Sequence, residues 1–142
     1  QHSNVIAIKE AGGKPEVVSK LRALCGPEFV IHSGDDGLTL AFLALGAKGV
    51  TSVVSNYAPE IMVRLVAAWQ KGNQTEALKL HDLVYPVAAA MFSEASPSPV
   101  KAALNGIGLA SEKVRLPLVP LSETGMENMK GVLEQFQERN TP

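Results

Sequence analysis

Lys9 follows four apolar residues, Val5-Ile6-Ala7-Ile8, and precedes Glu10-Ala11-Gly12-Gly13. A lysine at the carboxyl end of a buried strand stands where parallel α/β proteins gather their active sites. Partial desolvation there disfavours the ammonium and leaves a neutral amine that can attack a ketone and form a Schiff base. The simpler alternative is a lysine marking the end of its strand, with its head in solvent. Ser33-Gly34-Asp35-Asp36 supplies two adjacent carboxylates. Such a pair could bind a metal or do acid–base work, but two acids just before a helix also make an ordinary N-cap. Gly34 either lets a ligand approach the backbone or serves a plain turn. Thr51 has apolar neighbours, so its hydroxyl needs a partner, either a substrate or a backbone carbonyl.

Other chemistries find little support. Among 142 residues there is a single cysteine, Cys25, which allows neither an internal disulfide nor a structural zinc site of about four Cys or His ligands. It lies by a Gly-Pro turn without an evident base, so it reads as structural or incidental. His2, His32 and His81 have no metal-like spacing, and each is expected to be structural or exposed, His81 at the surface of a helix. No GxGxxG or GxxxxGK[ST] pattern occurs. With 13 basic and 14 acidic residues, a net charge of −1 and no basic block, a nucleic-acid footprint is absent. The longest apolar run, residues 83–92, is far short of the ~20 residues of a spanning helix. The polar start, Gln1-His2-Ser3-Asn4, is not a signal peptide, and the lone thiol suits a reducing, cytoplasmic setting.

The elements that must position these residues follow from the apolar pattern. Residues 5–8, 29–32 and 49–54 are apolar throughout rather than alternating, which predicts buried parallel strands. Each is followed by a helical pattern, at residues 15–24, 38–45 and 59–69. After residue 72 the strands stop. Helices are expected at 75–92, 100–105 and 123–139, with a proline-extended segment at 116–120. The order β-α-β-α-β-α and then helices alone fits either a small doubly wound sheet or the closing part of a (β/α)₈ barrel with a helical appendage. Three strands make a poor doubly wound sheet, open at both edges, yet a whole barrel needs ~250 residues.

A resemblance resolves the conflict. Val5-Ile6-Ala7-Ile8-Lys9-Glu10-Ala11, Ser33-Gly34-Asp35-Asp36 and Gly49-Val50-Thr51-Ser52-Val53-Val54-Ser55-Asn56 resemble strands six, seven and eight of the dihydrodipicolinate synthase/N-acetylneuraminate lyase family. Pro97-Ser98-Pro99-Val100-Lys101-Ala102-Ala103 and Arg115-Leu116-Pro117-Leu118-Val119-Pro120-Leu121 resemble its C-terminal helical region, especially in the dihydrodipicolinate-forming branch. The likeness covers essentially all of this chain and about the second half of the family's. It implies an α/β fold: residues 1–72 as the last three β/α units of a TIM barrel, and residues 73–142 as final helices and a helical region.

The resemblance also implies chemistry. Lys9 matches the lysine that attacks the ketone of pyruvate. Loss of a methyl proton then gives an enamine, which adds to aspartate semialdehyde on the way to 4-hydroxy-tetrahydrodipicolinate, in lysine (diaminopimelate) biosynthesis. No metal or cofactor is implied beyond the covalent Schiff base on Lys9. Thr51 matches a strand-eight position that contacts pyruvate largely through its backbone, where isoleucine is usual. Gly34 matches a glycine lining the same pocket. The family's tyrosines, their threonine partner, its substrate-binding arginine and its lysine-inhibitor site all precede the lysine strand, and neither Tyr57 nor Tyr85 stands in a matching segment. Activity is therefore expected to require an N-terminal half, on a separate or nicked chain, within a homo-oligomer, usually a tetramer. The alternatives are another pyruvate-type aldolase of the family, acting on a 2-keto-3-deoxy sugar acid or 4-hydroxy-2-oxoglutarate, and a non-catalytic fragment that associates through its strand edges.

Overall fold

A computed structural model describes residues 2–140; Gln1, Thr141 and Pro142, and with them the extreme ends of the two expected segments, lie outside the described residues. The chain runs β1 (Ala7–Glu10), α1 (Glu16–Cys25), β2 (Val30–Ser33), α2 (Thr39–Ala44), β3 (Gly49–Val50), α3 (Pro59–Gln70), α4 (Gln74–Met91), α5 (Ser98–Gly106) and α6 (Glu123–Asn140). Single 3₁₀ turns, Asp36–Leu38 and Val54–Asn56, precede α2 and α3. The three strands form one parallel sheet in the order β1-β2-β3.

Register assigns the two faces. Ile8 pairs with Ile31, and Lys9, His32 and Gly49 form the next row. Ile31 is buried with Val18 of α1, Phe42 of α2 and Ala47, so that face meets the helices. Because side chains alternate along a strand, Lys9, His32 and Gly49 belong to the opposite face.

Two expectations for the strands need correction. The run at 5–8 was expected to be buried, but β1 is displaced to Ala7–Glu10 and is largely exposed, with Ile6 70% accessible. Pairing sets the shift: a turn in which the Phe29 N–H donates to the Gly26 carbonyl delays β2 until Val30, which pairs with Ala7. Burial fails because β1 has no neighbour on its far side among the described residues. The third strand was expected at 49–54 but contains only Gly49 and Val50. The cause is Asp36, whose buried carboxylate accepts from Ser52 Oγ and from the Val53 and Val54 N–H groups at 2.8 and 3.4 Å. Those amides turn toward a side chain instead of extending the ladder.

The helices follow their patterns closely. The Asn73 side chain caps α4 by accepting from the Glu76 N–H at 3.1 Å. A continuous apolar cluster includes Ile61, Met62 and Leu65 of α3, Leu80, Val84 and Met91 of α4, Val100 of α5, and Met129 and Phe136 of α6. Thus α6 packs within the chain, as its apolar face predicts, while Met126 stays exposed. Helix α5 begins at Ser98, ahead of the expected residue 100, with Pro99 in its first turn, where a missing N–H costs no helical bond.

Candidate active site

The open face of the sheet carries two rows of residues. Lys9, His32 and Gly49 form the first. The second extends beyond the strands proper: the Gly34 N–H donates to the Glu10 carbonyl and the Thr51 N–H to the Ser33 carbonyl, both at 2.7 Å. This continues the ladder and puts Ala11, Gly34 and Thr51 side by side, on the same face as Lys9.

Gly34 is a notch in this surface. A Cβ built there would lie 2.6 Å from the Ala11 Cβ and 2.8 Å from the Lys9 Cε. The Lys9 side chain thus leans over Gly34, the glycine of the second row, whose other neighbour in that row is Thr51. Lys9, Gly34 and Thr51, three positions singled out from the sequence, therefore lie on the same face of the sheet in adjoining rows.

Several details differ from the sequence expectations. Lys9 is exposed, the outcome expected of a lysine that marks the end of its strand, although that strand was expected to be buried. Thr51 lies just past β3, and its hydroxyl pairs with the His32 Nδ1, at 3.4 Å. His32 was read as a structural or exposed histidine without a functional part. It is half-buried and belongs to the row of Lys9. The available signal was its position: a histidine two residues before Gly34 in an otherwise apolar strand shares that glycine's face.

The acidic pair is structural. The Asp35 side chain accepts from the Gly37 N–H at 2.9 Å and caps the 3₁₀ turn, while Asp36 organises the Ser52–Val54 backbone as described. His81 is not at the surface as expected; it is half-buried, tilted against Tyr85 with ring centroids 6.0 Å apart. Tyr57 packs edge-on against Phe136 and accepts from Gln137 Nε2, away from the sheet face. Cys25 is free and exposed. Among the described residues, no group of three or more His, Cys, Asp or Glu could hold a metal ion, and no helix is long and apolar enough to cross a membrane.

Known proteins share this fold. A sequence model of the dihydrodipicolinate synthetase family matches residues 1–136. The 4-hydroxy-tetrahydrodipicolinate synthase of Syntrophus aciditrophicus (strain SB) is 46% identical over 134 residues, covering 94% of this chain and 46% of that protein. The solved 4-hydroxy-tetrahydrodipicolinate synthase of Methylacidiphilum fumariolicum SolV superposes with a TM-score of 0.93 at 43% identity, over 96% of this chain and 45% of the other. A dihydrodipicolinate synthase from Acinetobacter baumannii, solved in complex with pyruvate, superposes with a TM-score of 0.88 at 31% identity, over 94% of this chain and 46% of the other. The chain spans about half the length of the curated relatives it matches. Its three β/α units correspond to about strands six to eight of a (β/α)₈ barrel, followed by the C-terminal helical region. The exposed Lys9 face is then the inner surface of that barrel, and the chain belongs to the dihydrodipicolinate synthetase family.

Proposed function

We propose that this chain carries the nucleophile of a pyruvate-dependent lyase, a 4-hydroxy-tetrahydrodipicolinate synthase completed by the remaining strands of the barrel. The observation that supports it is the approach of Lys9 to the notch at Gly34, with Thr51 beyond. In this reading the Lys9 amine adds to the ketone carbon of pyruvate, and the ketone oxygen leaves as water, giving a C=N bond to the lysine. Loss of a proton from the pyruvate methyl gives an enamine. Its terminal carbon attacks the aldehyde carbon of aspartate semialdehyde, and the new alkoxide takes up a proton. The amine of that substrate then displaces Lys9 from the imine carbon, closing the ring of 4-hydroxy-tetrahydrodipicolinate and freeing the enzyme. Gly34 keeps the space over the backbone clear, and Thr51 borders it.

The groups that move protons and bind the aldehyde substrate belong to the rest of the barrel, as do the walls that shield Lys9 from water. No metal or organic cofactor enters these steps. The free ladder edges of β1 and β3 suit further parallel strands, on the same or a nicked or separate chain, within a homo-oligomer. The single free thiol suits a reducing, cytoplasmic setting. In the complete enzyme, Lys9→Arg keeps the charge but removes the nucleophile. Condensation of pyruvate with aspartate semialdehyde should fall by more than about a thousandfold. Full activity in that variant contradicts the proposal, and turnover of pyruvate with a different aldehyde but not with aspartate semialdehyde would assign the chain to another aldolase of the family.

A further inference from the structure

We propose that Asp36 is a positioning residue: it turns the chain out of the sheet after Thr51 and so keeps the Thr51 carbonyl as an open acceptor for the charged nitrogen of a Schiff base on Lys9. This role rests on the Schiff-base reading proposed above. Asp36 is fully buried, and the ion pairs of the described residues, Arg64–Glu76 and Lys130–Glu134, do not include it. Hydrogen bonds meet its charge instead. Oδ1 accepts from Ser52 Oγ, and Oδ2 from the Val53 and Val54 N–H groups at 2.8 and 3.4 Å. Ser52 Oγ in turn accepts from the Ser55 N–H at 2.8 Å. Bonds to an ionised carboxylate are among the stronger ones a backbone can make, so the segment that follows Thr51 is tied to a residue of the neighbouring β/α turn.

Thr51 is the residue at which the ladder stops being reciprocated. Its N–H donates to the Ser33 carbonyl at 2.7 Å, and in a continuing parallel ladder its own carbonyl would accept from the Asp35 N–H. That N–H donates instead to Ser33 Oγ at 3.2 Å, while Ser33 Oγ donates to the Asp35 carbonyl at 2.7 Å. Among the described residues, nothing donates to the Thr51 carbonyl. Lys9 is the neighbouring cation: its Cε lies 2.8 Å from the place of a Gly34 Cβ, and Gly34 is one strand spacing, about 4.8 Å, from Thr51. The contact runs from the lysine to the carbonyl and needs no ligand over Gly34. A neutral amine attacks the ketone, and the C=N that results carries a positive charge when protonated. A carbonyl dipole fixed beside that nitrogen stabilises the charge as it develops, without reorganising at the moment of reaction.

The test is steady-state kinetics and borohydride trapping on the complete enzyme. Asp36→Ala releases the Val53 and Val54 amides, and kcat per folded enzyme should fall about a hundredfold, together with the rate of adduct formation. The KM for pyruvate should stay within about threefold, because the contact gains strength only as the C=N forms. Asp36→Asn keeps an oxygen for the two amides and should recover kcat to within about fivefold of wild type; a role resting on the carboxylate's charge would not be rescued. Leu65→Ala, which loosens the distant helical cluster, should leave kcat per folded enzyme unchanged, the result that a merely structural Asp36 would share. Ser52→Ala removes one donor, leaves both amide bonds, and should lower kcat about fivefold, which carries the test if Asp36→Ala does not fold. If the wild-type enzyme traps pyruvate on Lys9, an unchanged kcat in Asp36→Ala, or in Ser52→Ala where the former does not fold, overturns the positioning role alone. Failure of Asp36→Asn to rescue does the same. Absence of the adduct in the wild type overturns the Schiff-base reading and this role with it.

Discussion

Beneath the sheet, the apolar cluster consists of Val18, Ile31, Phe42 and Ala47, whereas the cluster among the helices runs unbroken from Leu43 to Phe136. The residues with chemical potential lie on the thinly packed side. Lys9 and Thr51 are exposed, and β1 has a free edge. Helices α3, α4 and α6 close mainly on one another, with Val50 of β3 packed at the margin of their cluster, so the helical part is a platform and the sheet a thinner wall. Stability and chemistry are thus separated along the chain.

Core truncation should expose this division most strongly. Leu65→Ala, in the fully buried centre of the helical cluster, should cost about 2–5 kcal/mol in denaturant unfolding. Leu21→Ala, at the half-buried margin of the sheet cluster, should cost roughly 1–2 kcal/mol. Equal losses at the two sites would erase the distinction. On the chemical side, Gly34→Ala must displace the Lys9 or Ala11 side chain, because its Cβ would come within 2.8 Å of both. Misplacing a reacting group by ~1 Å costs up to about a hundredfold, so the rate of pyruvate adduct formation should fall by roughly that factor while the melting temperature of the helical part barely moves. The smallest effect belongs to the Arg64–Glu76 ion pair, 3.2 Å between α3 and α4 with both side chains substantially exposed. Glu76→Gln should change stability by less than about 0.5 kcal/mol, showing that the platform is held by apolar packing rather than charge.

The sequence made the helices legible because their apolar positions recur at helical spacing, and Pro59 at the start of α3 is visible in the chain itself. The strands were legible as elements but not in extent. β3 ends early because of Asp36, a residue distant in sequence, and no reading of residues 49–54 alone reveals a carboxylate reaching their amides. The same distance effect hid the partner of Thr51. Its hydroxyl was expected to find a carbonyl or a substrate, and it pairs with His32 on the neighbouring strand, brought there by parallel register. Lys9 and Gly34 were found as separate strand-end residues, and the likeness to a known family joined them. Their contact over the backbone required the fold.

The most direct test is to incubate the complete enzyme with pyruvate, reduce with borohydride and map the modified peptide by mass spectrometry. A reduced pyruvyl group on Lys9, lost in Lys9→Arg, is the result predicted. An unmodified Lys9 in an enzyme that still consumes pyruvate, or an adduct on another lysine, would contradict the assignment of the nucleophile to this chain.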